Sequence, residues 1–200
     1  MRSGGAASAT LRFEPLRLLV LNPETTREEH RPMAHIGKHV KLSEPAFVHE
    51  TAYIYGRVTL AKDVSIWPYV VMRAEMHEII IGEKTNIQDF VMVHVGGATP
   101  TIVGRNCSIT HHVTIHGCTI GDNCLIGINA TIMDGAVIGD NCIVAGHSIV
   151  TEGAVFPDNS IIAGVPAKVV KTRDSGEANK GNAEWYFQNA LRYAKGEDVM

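Results

Sequence analysis

Aliphatic residues recur at every sixth position along most of this chain, and that interval limits its fold more than any other feature. One run is Leu42, Val48, Ile54, Leu60, Ile66 and Met72. A second is Ile81, Ile87 and Val93, and a third is Val103, Ile109 and Ile115. The longest is Ile120, Ile126, Ile132, Ile138, Val144 and Val150, continued by Phe156 and Ile162. Four positions after many of these stands a small or compact residue, as at Ala52, Cys107, Ala130 and Cys142. Glycine often follows the aliphatic directly, as at Gly82, Gly104, Gly121 and Gly139. A six-residue period rich in β-branched residues is the pattern of a hexapeptide β-helix. The aliphatic points inward, the small residue fills the corner, and three hexads complete one triangular coil.

The interruptions fit three hexads per coil. Extra residues fall between Met72 and Ile81 and between Val93 and Val103, and one residue is missing between Ile115 and Ile120. All three lie after every third hexad, so loops are expected to leave at one corner. The coils then begin at Leu42, Leu60, Ile81, Val103, Ile120 and Ile138, with a partial coil from Phe156. The β-helix is expected over residues 33–171 and a linker over 172–181. An amphipathic α-helix is expected over 182–196, with Trp185 and Leu191 against the β-helix or a neighbouring chain. Residues 1–32 are rich in Ser, Ala and Gly at the start and read as a disordered or loosely docked extension.

Composition narrows the function classes. With 18 basic and 21 acidic side chains and no basic run, nucleic acid is not the expected partner. No stretch approaches the ~18 apolar residues of a membrane span. The four cysteines, Cys107, Cys118, Cys124 and Cys142, include no CxxC pair and read as reduced and cytoplasmic. Cys107, Cys124 and Cys142 share one offset on consecutive coils, which places them in an inward, core-filling column.

The coil register also sorts the histidines. His94 follows Val93 and His116 follows Ile115, so both lie one residue past the aliphatic of the third face, on adjacent coils. Parallel strands stand about 4.8 Å apart, a separation from which two leaning imidazoles can share one tetrahedral zinc. Arg73 follows Met72 and lies beneath His94 in the same column. His111 is two past Ile109 on the second face, with Asp89 at the same offset one coil below and Gln88 before it. The chain path from Asp89 to His94, up to about 16 Å if extended, keeps His111 from the pair on its own chain. A neighbouring chain related by a threefold axis would bring its own second face to this third face. The spacing therefore suggests a site between subunits, each chain giving two ligands to one site and one to the next. His112 has no evident stacked partner and reads as a bystander, as do His30, His35, His39, His49 and His147.

The segments VSIWPYVVMRAE, IGEKTNIQDFVMVH, ITHHVTIHGCTIGDNCLIGINATIMDG and AGVPAKVVK together resemble the γ-class carbonic anhydrase-like family, over Leu42 to Lys171 and the C-terminal helix. The resemblance implies a mainly β fold, a left-handed parallel β-helix with a C-terminal α-helix, assembled as a homotrimer. It implies a Zn2+ site, or one for Fe2+ or Co2+, on His94, His111 and His116. It also implies reversible hydration of carbon dioxide to bicarbonate by a metal-bound hydroxide. Arg73, Gln88 and Asp89 match the family's site residues, Gln88 as a hydrogen-bond partner for hydroxide or substrate, Arg73 and Asp89 as groups that orient ligands and tie subunits. Arg73-Ala74-Glu75 replaces the family's usual Arg-Gly-Asp. Met76 stands where active members carry glutamate, and the loop VGGATPTI lacks their acidic residue. Glu75, His77 and Glu78 are candidate substitutes in proton export. A non-catalytic metal-binding trimer and a hexapeptide acyltransferase are the competing readings, and Asn189 is a further residue able to approach the site.

Overall fold

The computed structural model describes residues 34–197, so the expected extension over residues 1–32 lies outside the described residues. The chain winds as a left-handed parallel β-helix of about seven coils, closed by one α-helix. Each repeat aliphatic pairs in register with its counterpart one coil away. Val48 lies against Ile66, Ile66 against Ile87, Ile87 against Ile109, and Ile109 against Ile126. Their side chains form one continuous column of core, with Ile54, Ile66, Ile87, Ile109, Ile115 and Ile126 fully buried. Each such side chain contributes about 1.5–3 kcal/mol on leaving water, so the repeat is a stacked hydrophobic core one coil thick. Leu42 and Ile36, at the end of the described stack, are the repeat residues left exposed.

The first and third faces form one sheet rather than two. The strands Tyr53–Leu60 and Val71–Ile81 each run unbroken around the corner between those faces. The extra residues after Met72 therefore do not leave as a loop, contrary to expectation. They form a bulge within the strand: Gly56 pairs with Ala74 and Val58 with Ile79, and the residues at 75–78 are passed over in the shift of register. After His94 the chain does depart, through Gly96–Pro100, before Thr101 resumes the first face.

Corners are made by residues in the left-handed backbone region. At the corner after the first face these are Glu44, Asp63 and Lys84 on the early coils, then Asn106, Asn123, Asn141 and Asn159, with φ between 50 and 62°. The asparagine amides form a ladder, each Nδ2 donating to the next Oδ1 at 3.1, 3.1 and 3.2 Å. Asparagine tolerates this conformation, which costs most other residues about 1–2 kcal/mol. Behind it the buried polar column Thr85, Cys107, Cys124, Cys142 and Ser160 serves the backbone. The Cys107 amide donates to Thr85 Oγ1 at 3.0 Å and the Cys124 amide to Cys107 Sγ at 3.4 Å. In turn Cys107 Sγ donates to the Gly121 carbonyl at 3.1 Å, and Cys124 Sγ to that of Gly139 at 3.1 Å. These thiols fill the core and satisfy coil-to-coil hydrogen bonds at once.

The C-terminal region departs from expectation. An antiparallel hairpin of Ser160–Gly164 and Ala167–Thr172 ends the coils, and the α-helix spans Gly176–Ala194, starting inside the expected linker. Tertiary contacts override the weak helix propensity of its first turns. Asn179 is buried and its Nδ2 donates to the carbonyls of Asn123 and Cys142, while Gly176 sits where a Cβ would stand 2.5 Å from Asn141 Oδ1. The helix packs on its own chain, along the second face, through Asn179, Ala183, Tyr186, Ala190 and Tyr193. Trp185 and Leu191, expected to be the packed residues, are exposed; small residues on the opposite stripe permit closer approach. No helix among the described residues is long and apolar enough to cross a membrane.

Candidate metal centre

The third face brings Arg73, His94 and His116 into one column. Arg73 is paired with His94 and His94 with His116 on successive coils. The two imidazoles meet edge to face, with His94 Nδ1 and His116 Nε2 at 2.8 Å. Each opposite ring nitrogen is held by a carboxylate. His94 Nε2 donates to Glu75 Oε2 at 3.1 Å, and His116 Nδ1 donates to Asp134 Oδ1 in a short contact. The outer nitrogens are thus occupied by carboxylates and the inner two converge on one gap, where they can share a proton or, with the rings leaning slightly apart, ligate a cation, so the donor set fits a metal.

Asp134 reaches His116 because residue 117 is glycine. At Gly117 φ is +54°, and a Cβ would stand 2.5 Å from Asp134 Oδ1 and 2.8 Å from the Gly96 amide. Together these residues border a cavity of about 390 Å³, lined by Arg73, Glu75, Met76, His94, Gly96 and His116. Arg73 pairs closely with Glu75 of its own chain. Burial pushes the Glu75 carboxyl up, but hydrogen bonds from its own backbone, His94 and Arg73, with the Arg73 charge, outweigh it and leave the group below the ordinary carboxylate value. His77 Nε2 lies 3.3 Å from the Gly97 carbonyl and braces the loop beside the cavity. Met76 is 64% exposed at its rim.

His111 stands on the second face, in the other sheet, and lines a separate cavity of about 210 Å³ with Asp89, Trp67, Tyr186 and Asn189. Its Nδ1 lies 3.1 Å from Asp89 Oδ2, which leaves Nε2 as the free nitrogen. Each of the three histidines thus has one ring nitrogen on a carboxylate and one available to a ligand. Among the described residues, no three His, Cys, Asp or Glu side chains of one chain converge on a common point. Gln88 is 1% exposed; its Nε2 donates to Asn86 Oδ1 at 2.9 Å, and its Oε1 is buried without a partner among the described residues. Asn86 continues through Ser108 to Asn182, tying this face to the helix.

Asp134 was not among the residues marked from the sequence. Its signal was its place two residues past Ile132, on the coil next to Ile115 and directly over the glycine of HGC. His112 also needs correction. It is stacked on Phe90 with centroids 4.9 Å apart and planes at 3°, and Phe90 on Tyr69 at 4.9 Å and 15°. These three occupy the corner position three past the second-face aliphatics Ile66, Ile87 and Ile109, a register that the sequence carries.

Residues 117–152 match the family described as bacterial transferase hexapeptide (six repeats). The chain is 44% identical over 159 residues to a protein of Methanocaldococcus jannaschii named probable carbonic anhydrase, covering 80% of this chain and 97% of that one. It is 35% identical over 122 residues to mitochondrial gamma carbonic anhydrase 2 of Arabidopsis thaliana, covering 53% of this chain and 44% of that one. Among solved structures, a hexapeptide transferase family protein from Anaplasma phagocytophilum superposes with a TM-score of 0.71 at 30% identity, over 83% of this chain and 98% of that one.

Proposed function

The chain belongs to the γ-class carbonic anhydrase-like family, and from that premise we propose that it is a metal-dependent carbonate dehydratase acting as a homotrimer. Carbon dioxide and water are the substrates, bicarbonate and a proton the products. In this reading His94 and His116 of one chain and His111 of the next hold a divalent ion, zinc, iron or cobalt, at each interface. The observation that carries it is the pair of inner nitrogens converging at 2.8 Å, each ring locked from behind by a carboxylate. Such a cation supplies Lewis acidity, bringing the pKa of a water in its open position to about 7.

The chain's own residues do the positioning. Glu75 and Asp134 hold the outer protons of His94 and His116, and Asp89 stands 3.1 Å from Nδ1 of His111, which leaves Nε2 of that ring toward a ligand. Gln88 stands beside Asp89 with an unpaired amide oxygen and is assigned to hydrogen-bond the water or the substrate. Arg73, clamped by Glu75, keeps positive charge at the cavity where bicarbonate forms. Glu75, which accepts from His94, and His77 and Glu78 on the same strand are the groups assigned to proton export.

Acyl transfer, the competing reading for a hexapeptide β-helix, is a poorer fit. A single general base suffices there, and nothing in it calls for two carboxylate-backed imidazoles with converging inner nitrogens. Metal analysis of the purified protein is expected to find about one divalent ion per chain and to find it lost in His111→Ala. Full metal content in that variant would sink the intersubunit site. Anaerobic stopped-flow hydration of carbon dioxide with zinc, iron or cobalt tests turnover. A bound metal without any rate above buffer would leave a structural metal trimer.

A further inference from the structure

The corner between the second and third faces carries large aromatic residues in a backbone conformation that disfavours them. Tyr69, Phe90 and His112 have φ of 59, 62 and 59°. The same position on the next two coils is Asn129 and His147; the corner after the first face uses Glu44, Asp63, Lys84 and then asparagines, and the third uses Gly56, Gly117, Gly135 and Gly153, so this corner alone carries consecutive large aromatic rings. Asparagine and glycine are the residues this region favours; bulky ones there are outliers that need a compensating gain. Stacking within the chain is a partial gain, but the rings remain in water, Tyr69 at 55% and Phe90 at 51% exposure. Strain and exposure together point to a surface that something else covers.

Position along the chain identifies the occupant. Phe90 directly follows Asp89, and His112 directly follows His111, the two residues of the second-face half-site. Phe90 precedes His94 by four residues and His112 precedes His116 by four, so the third-face half-site lies on the other side of the same corner. Neither half-site is complete alone. Any rotation that carries His111 of one chain to His94 and His116 of the next carries the corner between the faces into the contact. Threefold closure does so for every chain, with the three corners next to the axis.

We propose that the Tyr69–Phe90–His112 stack is the apolar seam of self-association, covered by a second copy of this chain. The proposal rests on the intersubunit reading of the metal centre. The seam holds chains together beside the site, and its burial on assembly offsets the strained corners.

Sedimentation velocity of the full chain across a dilution series tests it. Phe90→Asn replaces the ring with a residue that suits the positive φ, so the single chain should keep its fold by far-ultraviolet circular dichroism. Its trimer is expected to dissociate at a concentration at least tenfold above that of the unaltered protein. Val155→Asn, an exposed apolar position on the first face, is expected to leave dissociation unchanged. A trimer as tight in Phe90→Asn as in the unaltered protein overturns the seam while leaving the metal reading intact. An unaltered protein that is monomeric at every concentration overturns both. Should Phe90→Asn fail to fold, Tyr69→Asn carries the same test with the same outcomes.

Discussion

Asp134, one coil beyond His116, holds the Nδ1 proton of that imidazole and so directs Nε2 toward His94. The contact exists because Gly117 lets the two coils approach. Asp134→Asn is expected to lower metal affinity about 10–100-fold, the usual effect of losing such a partner. Competition with a chelator of known affinity measures it, and melting of the metal-free protein should change little. Unaltered affinity would leave Asp134 with no part in the site.

The division of ligands between chains predicts complementation. Chains carrying His111→Ala and chains carrying His94→Ala with His116→Ala each lack an intact site when alone. Mixed trimers contain interfaces where both contributions are intact. Refolding the two variants together should restore metal binding to a fraction of sites, while each refolded alone should bind none. Equal binding by the His111→Ala chain alone would place all ligands on one chain.

Met76 lies exposed at the rim of the cavity that holds His94 and His116. A carboxylate there gives the product proton a carrier at the mouth of the site. In dilute buffer Met76→Glu is expected to raise kcat by on the order of a hundredfold, the lower end of what a positioned acid–base group contributes. The gain should fade as buffer concentration rises and replaces the carrier. A gain independent of buffer would mean that proton export was not limiting.

Hydrogen bonding from Cys107 and burial push the Cys124 thiol above its ordinary value of 9.0, and hydrogen bonding with Cys124 and burial do the same for Cys142. Both therefore remain protonated in the folded chain when the unfolded chain ionises. The stability that they contribute is whole below pH 9 and falls as pH rises further, by up to about 1.4 kcal/mol per unit and group. Urea midpoints measured from pH 8 upward should decline above 9, and Cys124→Ser should flatten the decline. At pH 8 a charged disulfide reagent should titrate none of the four buried thiols until denaturant is added.

Asn179 joins the helix to two coils through its side-chain amide. Asn179→Ala removes a donor from the carbonyls of Asn123 and Cys142, the latter still bonded by the Leu125 amide, and is expected to cost about 1 kcal/mol. The loss should be visible as a lower denaturation midpoint, with hydrogen exchange fastest in the first turns of the helix.

The coils were legible because a six-residue period maps each residue to one face and one height. From that mapping alone, Arg73, His94 and His116 fall in one column and His111 falls in another with Asp89. Less periodic features were hidden. Asp134 is a single carboxylate whose meaning depends on the close approach at Gly117, a distance that spacing does not encode. The helix was started late because its buried stripe, Gly176, Asn179, Ala183 and Ala190, is small and partly polar, while Trp185 and Leu191 carry the conspicuous apolar surface outward. The run after Met72 has the spacing of a loop, but its extra residues bulge within a bent strand, which spacing alone does not distinguish.

The pairing of Ile109 with Ile87 and of Ile115 with Val93 has a consequence for how such a chain can change over generations. A single residue gained or lost between Val103 and Ile115 would turn outward-facing positions inward, displacing His111 and His116 together with the core. Length is free to vary in the Gly96–Pro100 excursion, where the chain has already left the wall, or by eighteen residues at a time, a full circuit. The wall between the two half-sites is thus a ruled segment, closed to small insertions and deletions. Innovation in this protein is confined to substitutions on its columns and to the lengths of its excursions.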